Sequence, residues 1–161
     1  MINELIQIIS EEALLFEDFL KLLDRQQKML VTNDVAGLNE VSALQQQKLI
    51  ESQKLNRRRE QVIAAIKSAN AVEGDMTVAR ILEFADEDQA ARLNRLRETI
   101  VNLNDSIGRA RNTNAMLLNR SREYIARTMA MLSRVCNPDS TYDNHGTSGE
   151  HRRSLAVDRR V

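Results

Sequence analysis

The fold is decided by one long stretch, residues 93–135, which reads LNRLRETIVNLNDSIGRARNTNAMLLNRSREYIARTMAMLSRV. Steps of three and four residues lead along it in a sustained seven-residue repeat. The positions of this repeat are Leu93, Leu96, Ile100, Leu103, Ile107, Ala110, Asn114, Leu117, Ser121, Tyr124, Thr128, Met131 and Val135. Such a repeat keeps one seam of a helix against a partner helix and favours a left-handed supercoil. The stretch therefore predicts a long coiled-coil helix.

This helix is predicted to begin near Glu87 and to end at Cys136. Asn137 precedes Pro138, and a proline neither continues a helix nor favours helical geometry in the residue before it. A helix of this length would span about 75 Å at 1.5 Å per residue. Its apolar seam needs neighbours, so we expect a coiled-coil hairpin or bundle.

Two further long helices are predicted upstream from apolar residues at helical spacing. The first runs from about Asn3, as its N-cap, to about Val31. The second follows a turn at residues 32–34 and ends near Ala69. Because the turn is short, these two helices should be antiparallel neighbours.

A short helix and a tail complete the predicted organisation. Residues 76–85 are expected to form the short helix, with Asp75 as its N-cap, and residues 138–161 are polar without apolar periodicity, which is typical of disorder. The predicted fold class is all-α, an elongated antiparallel helical hairpin or coiled-coil bundle of three long helices and one short helix. One helical domain would cover residues 1–137, followed by a flexible, disordered C-terminal tail over 138–161.

Charge differs between the first and last predicted helices. The first is rich in acids and the last in arginines, so complementary flanks are expected to favour the packing of these two helices on each other. The apolar stripe of the second helix is interrupted at residues 45–47 and 57–59. We expect this middle part to be mostly solvated.

Composition argues against several classes of function. The 161 residues are 42% hydrophobic, 29% charged and 3% aromatic, with five Gly and one Pro, which is typical of long helices. The formal net charge of zero provides no general attraction to nucleic acid or to an anionic membrane. The sequence also lacks a Gly-rich phosphate loop, a His-Glu-x-x-His spacing and a nucleophile elbow. We expect no enzyme and no cofactor.

The cysteine and the N-terminal residues are typical of a cytoplasmic protein. Cys136 is the single cysteine, so it cannot form an internal disulfide, and with only His145 and His151 it does not make a usual zinc site. Acidic residues interrupt the stretch 1–16, unlike in a signal peptide. No apolar run approaches the roughly 18 residues of a membrane-spanning helix. We expect a cytoplasmic location, no direct membrane insertion and no metal.

The apolar face of the last helix widens in its second half, beyond what one coiled-coil seam needs. The widened face consists of Leu117, Leu118, Tyr124, Ile125, Met129, Met131 and Leu132. Either another helix of the same chain covers it, or it forms a groove for an amphipathic helix of a partner, to which Met side chains adapt. Asn112 and Asn114 lie just upstream, where an Asn at a seam position also commonly sets helix register.

The C-terminal third carries a resemblance to a known family. It combines the run Asn114-Ala-Met-Leu-Leu118, a helix continuing through Leu132, the segment Thr141-Tyr-Asp-Asn-His-Gly146, and a polar basic end. In this order the chain resembles the FlgN-like family, which are cytoplasmic flagellar type III export chaperones for the hook-associated (hook-filament junction) proteins.

The resemblance implies a function, partners and sites. The chaperone would bind the C-terminal amphipathic helix of hook-associated proteins, prevent their premature assembly and deliver them to the cytoplasmic domain of the flagellar export gate, with the export ATPase complex as a further partner. Docking to the gate would use Tyr142, with Gly146 shaping the turn. The implied client-binding residues are Asn112, Asn114, Leu117, Leu118, Ile125, Met129 and Leu132.

Two other interpretations follow from the same long helix. A self-assembling structural coiled coil would use the seam between copies and need no client. Under the chaperone interpretation, the sequence also allows a homodimer. An RNA-binding helix would explain the arginines, but acids lie among them and no aromatic platform for bases accompanies them. We therefore expect no nucleic-acid partner.

Overall fold

The computed structural model describes residues 1–136, which fold into four helices. They are α1 (Ile2–Thr32), α2 (Val35–Ala69), α3 (Val78–Glu83) and α4 (Glu87–Cys136). No strand occurs in this range. The predicted all-α class, with three long helices and one short helix, is confirmed, as is the start of the last helix at Glu87; its predicted end at Asn137 and Pro138 lies outside the described residues.

Residue contacts divide the chain into two compact units, Met1–Glu123 and Tyr124–Val161. The first unit contains α1, α2, α3 and the larger part of α4. The described part of the second unit is the final portion of α4, residues 124–136. The predicted tail over residues 138–161 lies outside the described residues.

The turn between α1 and α2 forms as its sequence predicts. Asn33 adopts the left-handed conformation with φ 53° and ends α1, and asparagine tolerates this conformation better than most residues. Asp34 is the N-cap of α2, and its Oδ1 accepts a hydrogen bond from the backbone N–H of Gly37 at 2.9 Å. This cap satisfies a backbone donor that the first turn of the helix leaves without a partner.

Two predicted caps are wrong. The first helix already begins at Ile2, because Ile2 packs against the hydrophobic core, and Asn3 instead accepts a hydrogen bond from Gln89 Nε2 at 3.0 Å. The short helix is shorter than the predicted 76–85, because Thr77 rather than Asp75 caps it and accepts from the N–H of Arg80.

The α1–α2 hairpin is antiparallel, as predicted. Near the turn Arg25 Nη2 lies 2.8 Å from Glu40 Oε2, and further from the turn Arg58 Nη1 lies 3.2 Å from Glu11 Oε2. The partners therefore move apart in sequence as the hairpin leaves its turn.

Within the first unit, α4 runs parallel to α1 and hence antiparallel to α2. Its start lies near the start of α1, where Gln89 contacts Asn3. Further along, Asn114 Nδ2 donates to the backbone carbonyl of Leu23 at 2.9 Å. A reciprocal pair formed by Asp86 and Gln89 caps the beginning of α4: Asp86 Oδ1 accepts from the Gln89 N–H, and Gln89 Oε1 accepts from the Asp86 N–H.

The hydrophobic core lies where all four helices meet, near the beginning of α1. Its buried members are Leu5, Ile6, Ile8, Val62, Ile66, Ile81 and Leu93. Burying each such side chain fully stabilises the fold by about 1.5–3 kcal/mol relative to its exposure. This cluster anchors α4 to the hairpin at one end.

The expected charge pairing between α1 and α4 is corrected for three acids of α1. Glu11 pairs with Arg58, Glu12 with Arg59 and Asp18 with Lys48, so these acids face bases of α2. The short turn makes α2 the nearest neighbour of α1 along its whole length. The run 57–59, expected to be solvated, thus holds two arginines that join α2 to α1.

Candidate functional site

A groove opens in the first unit between α1, α2 and α4, at the end of α1 that leads into the hairpin turn. Its cavity has a volume of about 520 Å³. Each of the three helices contributes several side chains to its walls. The lining residues are Phe19, Leu23, Gln26 and Leu30 of α1, Leu38, Ser42 and Gln45 of α2, and Arg111, Asn112, Asn114, Ala115 and Leu118 of α4.

A second cavity of about 350 Å³ adjoins the first. Phe19 and Arg111 line both, so the two form one groove along the three helices. The additional lining residues are Leu15, Phe16, Lys48, Leu49, Ser52, Asn104 and Ile107. The groove has a largely apolar lining with polar groups at defined points.

The groove exists because one stripe of each helix faces it. On α1 the stripe steps through residues 16, 19, 23, 26 and 30, and on α2 through residues 38, 42, 45, 49 and 52. On α4 it steps through residues 104, 107, 111, 114, 115 and 118. Spacings of three and four keep residues on one side of a helix. Three such stripes around an open space resemble a helical bundle that lacks one helix.

Asn114 is the buried polar residue of the groove, with 6% of its surface exposed. Its Nδ2 donates to the carbonyl of Leu23 and to Gln26 Oε1, each at 2.9 Å. A backbone carbonyl only accepts hydrogen bonds, so the Leu23 carbonyl fixes which amide atom of Asn114 faces α1. Asn114 Oδ1 is then left buried without a hydrogen-bond partner within the described chain. Such an orphaned acceptor costs about 1–3 kcal/mol.

In a comparison with protein-family models, the model described as FlgN protein matches residues 1–150. The chain belongs to the FlgN family. Proteins of this family are flagellar export chaperones, not enzymes, and are cytoplasmic in general. Neither the curated proteins nor the solved structures gave a match.

The structure brings three of the implied FlgN-family client-binding residues to the groove: Asn112, Asn114 and Leu118 line it. Leu117 lies in the same unit and is partly buried, but it is not part of the groove lining. Tyr142 and Gly146, the implied gate-docking residues, lie outside the described residues.

The remaining implied residues belong to the second unit. Ile125, Met129 and Leu132 follow one another at helical spacing and are 56%, 63% and 52% exposed. Tyr124 and Met131 are exposed too. These side chains form an exposed apolar face on the described part of the second unit.

Sequence reasoning missed the α2 wall of the groove in this FlgN-family chain. Gln45 was expected to be solvated but is partly buried, and Leu38 and Ser42 line the cavity beside it. The spacing of residues 38, 42, 45, 49 and 52 is a signal that could have identified this wall, although polar side chains at three of its positions conceal it.

Two other kinds of site are not found in the described part of this FlgN-family chain. Between residues 1 and 136, no three His, Cys, Asp or Glu side chains are arranged to hold a metal ion. No described helix is both long and apolar enough to cross a membrane.

Proposed function

We propose that this protein is a cytoplasmic flagellar export chaperone that binds the C-terminal amphipathic helix of hook-associated proteins. It keeps these clients from assembling prematurely and delivers them to the cytoplasmic domain of the flagellar type III export gate, with the export ATPase complex as a further partner. Membership of the FlgN family supports the chaperone role. The observation that carries the binding mode is the open groove lined by three helices.

The groove suits an amphipathic helix for a physical reason. A client helix with an exposed apolar face aggregates or polymerises, and a groove with an apolar lining hides that face while the client stays unassembled. Leu118 is 48% exposed at the groove and is the side chain of α4 that we assign to direct contact. Asn112 is exposed beside it. Buried Asn114, bonded to α1, would act by holding α4 in position.

The second unit offers an apolar face of its own. Ile125, Met129 and Leu132 are more than half exposed, and methionine adapts its shape to irregular partners. We assign this face to client binding as well. Gate docking is assigned to Tyr142 and Gly146 from the family resemblance, so Tyr142→Ala is expected to spare client binding and to reduce export of the client in a secretion assay.

A second candidate function is a self-assembling coiled coil, and the exposed apolar residues after Tyr124 favour it. A second copy would cover them without any client. However, Arg120, Arg122 and Arg134 lie on the same part of the helix, and a second copy would bring like charges together, which is unfavourable.

Calorimetry separates the two functions. The purified chain is titrated with the C-terminal helical segment of a hook-filament junction protein, and its oligomeric state is measured over a range of concentrations. The chaperone function predicts one-to-one binding with a Kd of about 1 µM or tighter, a free energy of about −8 kcal/mol. Absence of binding together with a concentration-dependent oligomer would instead establish self-assembly.

A further inference from the structure

Arg111 occupies a special place in the groove of the first unit. It lines both cavities, at the point where they adjoin. Among the described lining residues the only other charged side chain is Lys48, which lies 3.3 Å from Asp18 and 3.2 Å from Glu51. Arg111 is exposed and has no hydrogen-bond or ion-pair partner within residues 1–136. The groove thus presents one uncommitted positive charge and no acidic lining residue.

The groove also has a defined length. Along α4 its lining extends from Asn104 to Leu118, which corresponds to about 21 Å, or about four helical turns. Arg111 lies halfway between these two residues in the sequence. The positive charge is therefore central to the groove rather than at its end.

The form of the occupant follows from the three lining stripes. Each advances mainly by steps of three and four residues, the pattern that lets side chains of a neighbouring helix interdigitate. A helix with its own apolar stripe fits this arrangement better than an extended segment, whose side chains alternate every second residue. A second copy of α4 is a poor occupant because it would bring its own Arg109 and Arg111 close to Arg111.

We infer that the groove takes an amphipathic helix of about four turns that carries a carboxylate near its midpoint, and that Arg111 selects for this carboxylate. The inference rests on the proposed function, because it specifies the client segment that the chaperone binds. An arginine and a carboxylate form a charge-assisted pair with defined geometry. An arginine so placed specifies the direction and register of the client as well as its charge.

The test is a set of calorimetric titrations with the C-terminal helical segment of a hook-filament junction protein. The probes are this segment and variants in which each carboxylate is replaced singly by its amide. The proteins are the full chain, Arg111→Gln and the matched control Arg109→Gln. Arg109 has the same charge and lies on the same helix, but it donates to Ser106 and does not line the groove.

The expected result is that Arg111→Gln weakens binding roughly five- to tenfold, whereas Arg109→Gln changes it less than twofold. Replacing one central carboxylate of the probe by its amide should weaken binding by the same factor. Combining this replacement with Arg111→Gln should weaken binding no further. Unchanged binding by Arg111→Gln overturns the inference, and so does an equal loss in the two arginine variants, which would indicate only long-range attraction. If the unmodified chain does not bind the segment, the proposed function fails first and the inference with it.

Discussion

The two ends of the first unit use the same kind of helix in opposite ways. At one end α1, α2, α3 and α4 meet and bury Ile8 and Ile66 so well that Ile8 has 0% and Ile66 1% of its surface exposed. At the other end three helices surround an open groove, where Leu118 keeps 48% of its surface exposed. The short helix α3 contributes Ile81 to the core end alone. The difference indicates that four helices close the core end, whereas three helices leave the groove end open to bind.

The core end should account for the largest effect on stability. Ile8→Ala is expected to lower the free energy of unfolding by about 2–5 kcal/mol, because it removes a fully buried side chain and leaves a cavity. Leu118→Ala, the matched truncation at the groove, should lower it by no more than about 1 kcal/mol. Urea denaturation followed by circular dichroism measures both. Equal losses would mean that the groove is part of the core.

The groove end should account for the largest effect on client binding. Leu118→Glu is expected to weaken binding of the client segment at least about 100-fold, because the new charge would be buried against an apolar helix. Helical content should stay near that of the unmodified chain, since this side chain is half exposed. Ile125→Glu tests the face of the second unit in the same way.

Both measurements are made on each variant, calorimetry for binding and circular dichroism for the fold. A loss of helical content in Leu118→Glu would show that Leu118 supports the fold rather than the client. Full binding by Ile125→Glu would restrict the client site to the first unit.

Two glycines, Gly37 beside the hairpin turn and Gly108 in α4, permit a sharper comparison. A Cβ at Gly37 would collide with Met29 Sδ and with the capping carboxylate of Asp34. Gly37→Ala should therefore destabilise the chain by about 1 kcal/mol, because the capping carboxylate of Asp34 must move, whereas the flexible Met29 side chain can rotate away. Gly108→Ala is the control, since among the described residues nothing lies within 4 Å of a Cβ built there.

Gly108→Ala should be neutral or should stabilise the helix by up to about 1 kcal/mol, because alanine has the higher helix propensity. Thermal unfolding of both variants measures the contrast. Destabilisation by Gly108→Ala comparable to that by Gly37→Ala would show that α4 needs the flexibility of glycine at this point.

The sequence predicts those parts of the fold that depend on local signals. Asp34 as a cap and the start of α4 at Glu87 follow from residues within one turn of each boundary. The start at Ile2 does not, because contact with the distant core extends α1 past Asn3. The cap of α3 was missed for another reason, because Thr77 rather than Asp75 accepts the local hydrogen bond from the Arg80 N–H.

The candidate site was predictable on α4 alone. Periodicity within one helix identifies an apolar face, but it does not reveal which polar residues of another helix face it. Ser42 and Gln45 therefore went unnoticed until α2 was in place. The pairing of Glu12 with Arg59 was missed for the same reason, because it depends on the register of the hairpin.

The smallest expected effect on stability concerns the pair formed by Glu12 and Arg59. Glu12 is 5% exposed, and burial raises its pKa above the ordinary value of 4.5, although the positive charge of Arg59 opposes the rise. Between the unfolded and the raised folded pKa, the unfolded chain has released this proton while the folded chain still holds it. The contribution of Glu12 to stability therefore falls as the pH rises through this window.

Asp18, in the same hairpin, changes stability with pH in the opposite direction. Hydrogen bonds from Lys21 and Lys48 lower its pKa below the ordinary value of 3.8, so its contribution is present above that value and is lost as the pH falls. Glu12→Gln should remove the decrease in stability that begins near pH 4.5 as the pH rises. Asp18→Asn should remove the decrease in stability that occurs below about pH 4 as the pH falls. Urea denaturation between pH 3 and 7 measures both slopes against the unmodified chain. If Glu12→Gln leaves the pH profile unchanged, attraction to Arg59 balances the cost of burial, and the pKa of Glu12 is the same in the folded and the unfolded chain.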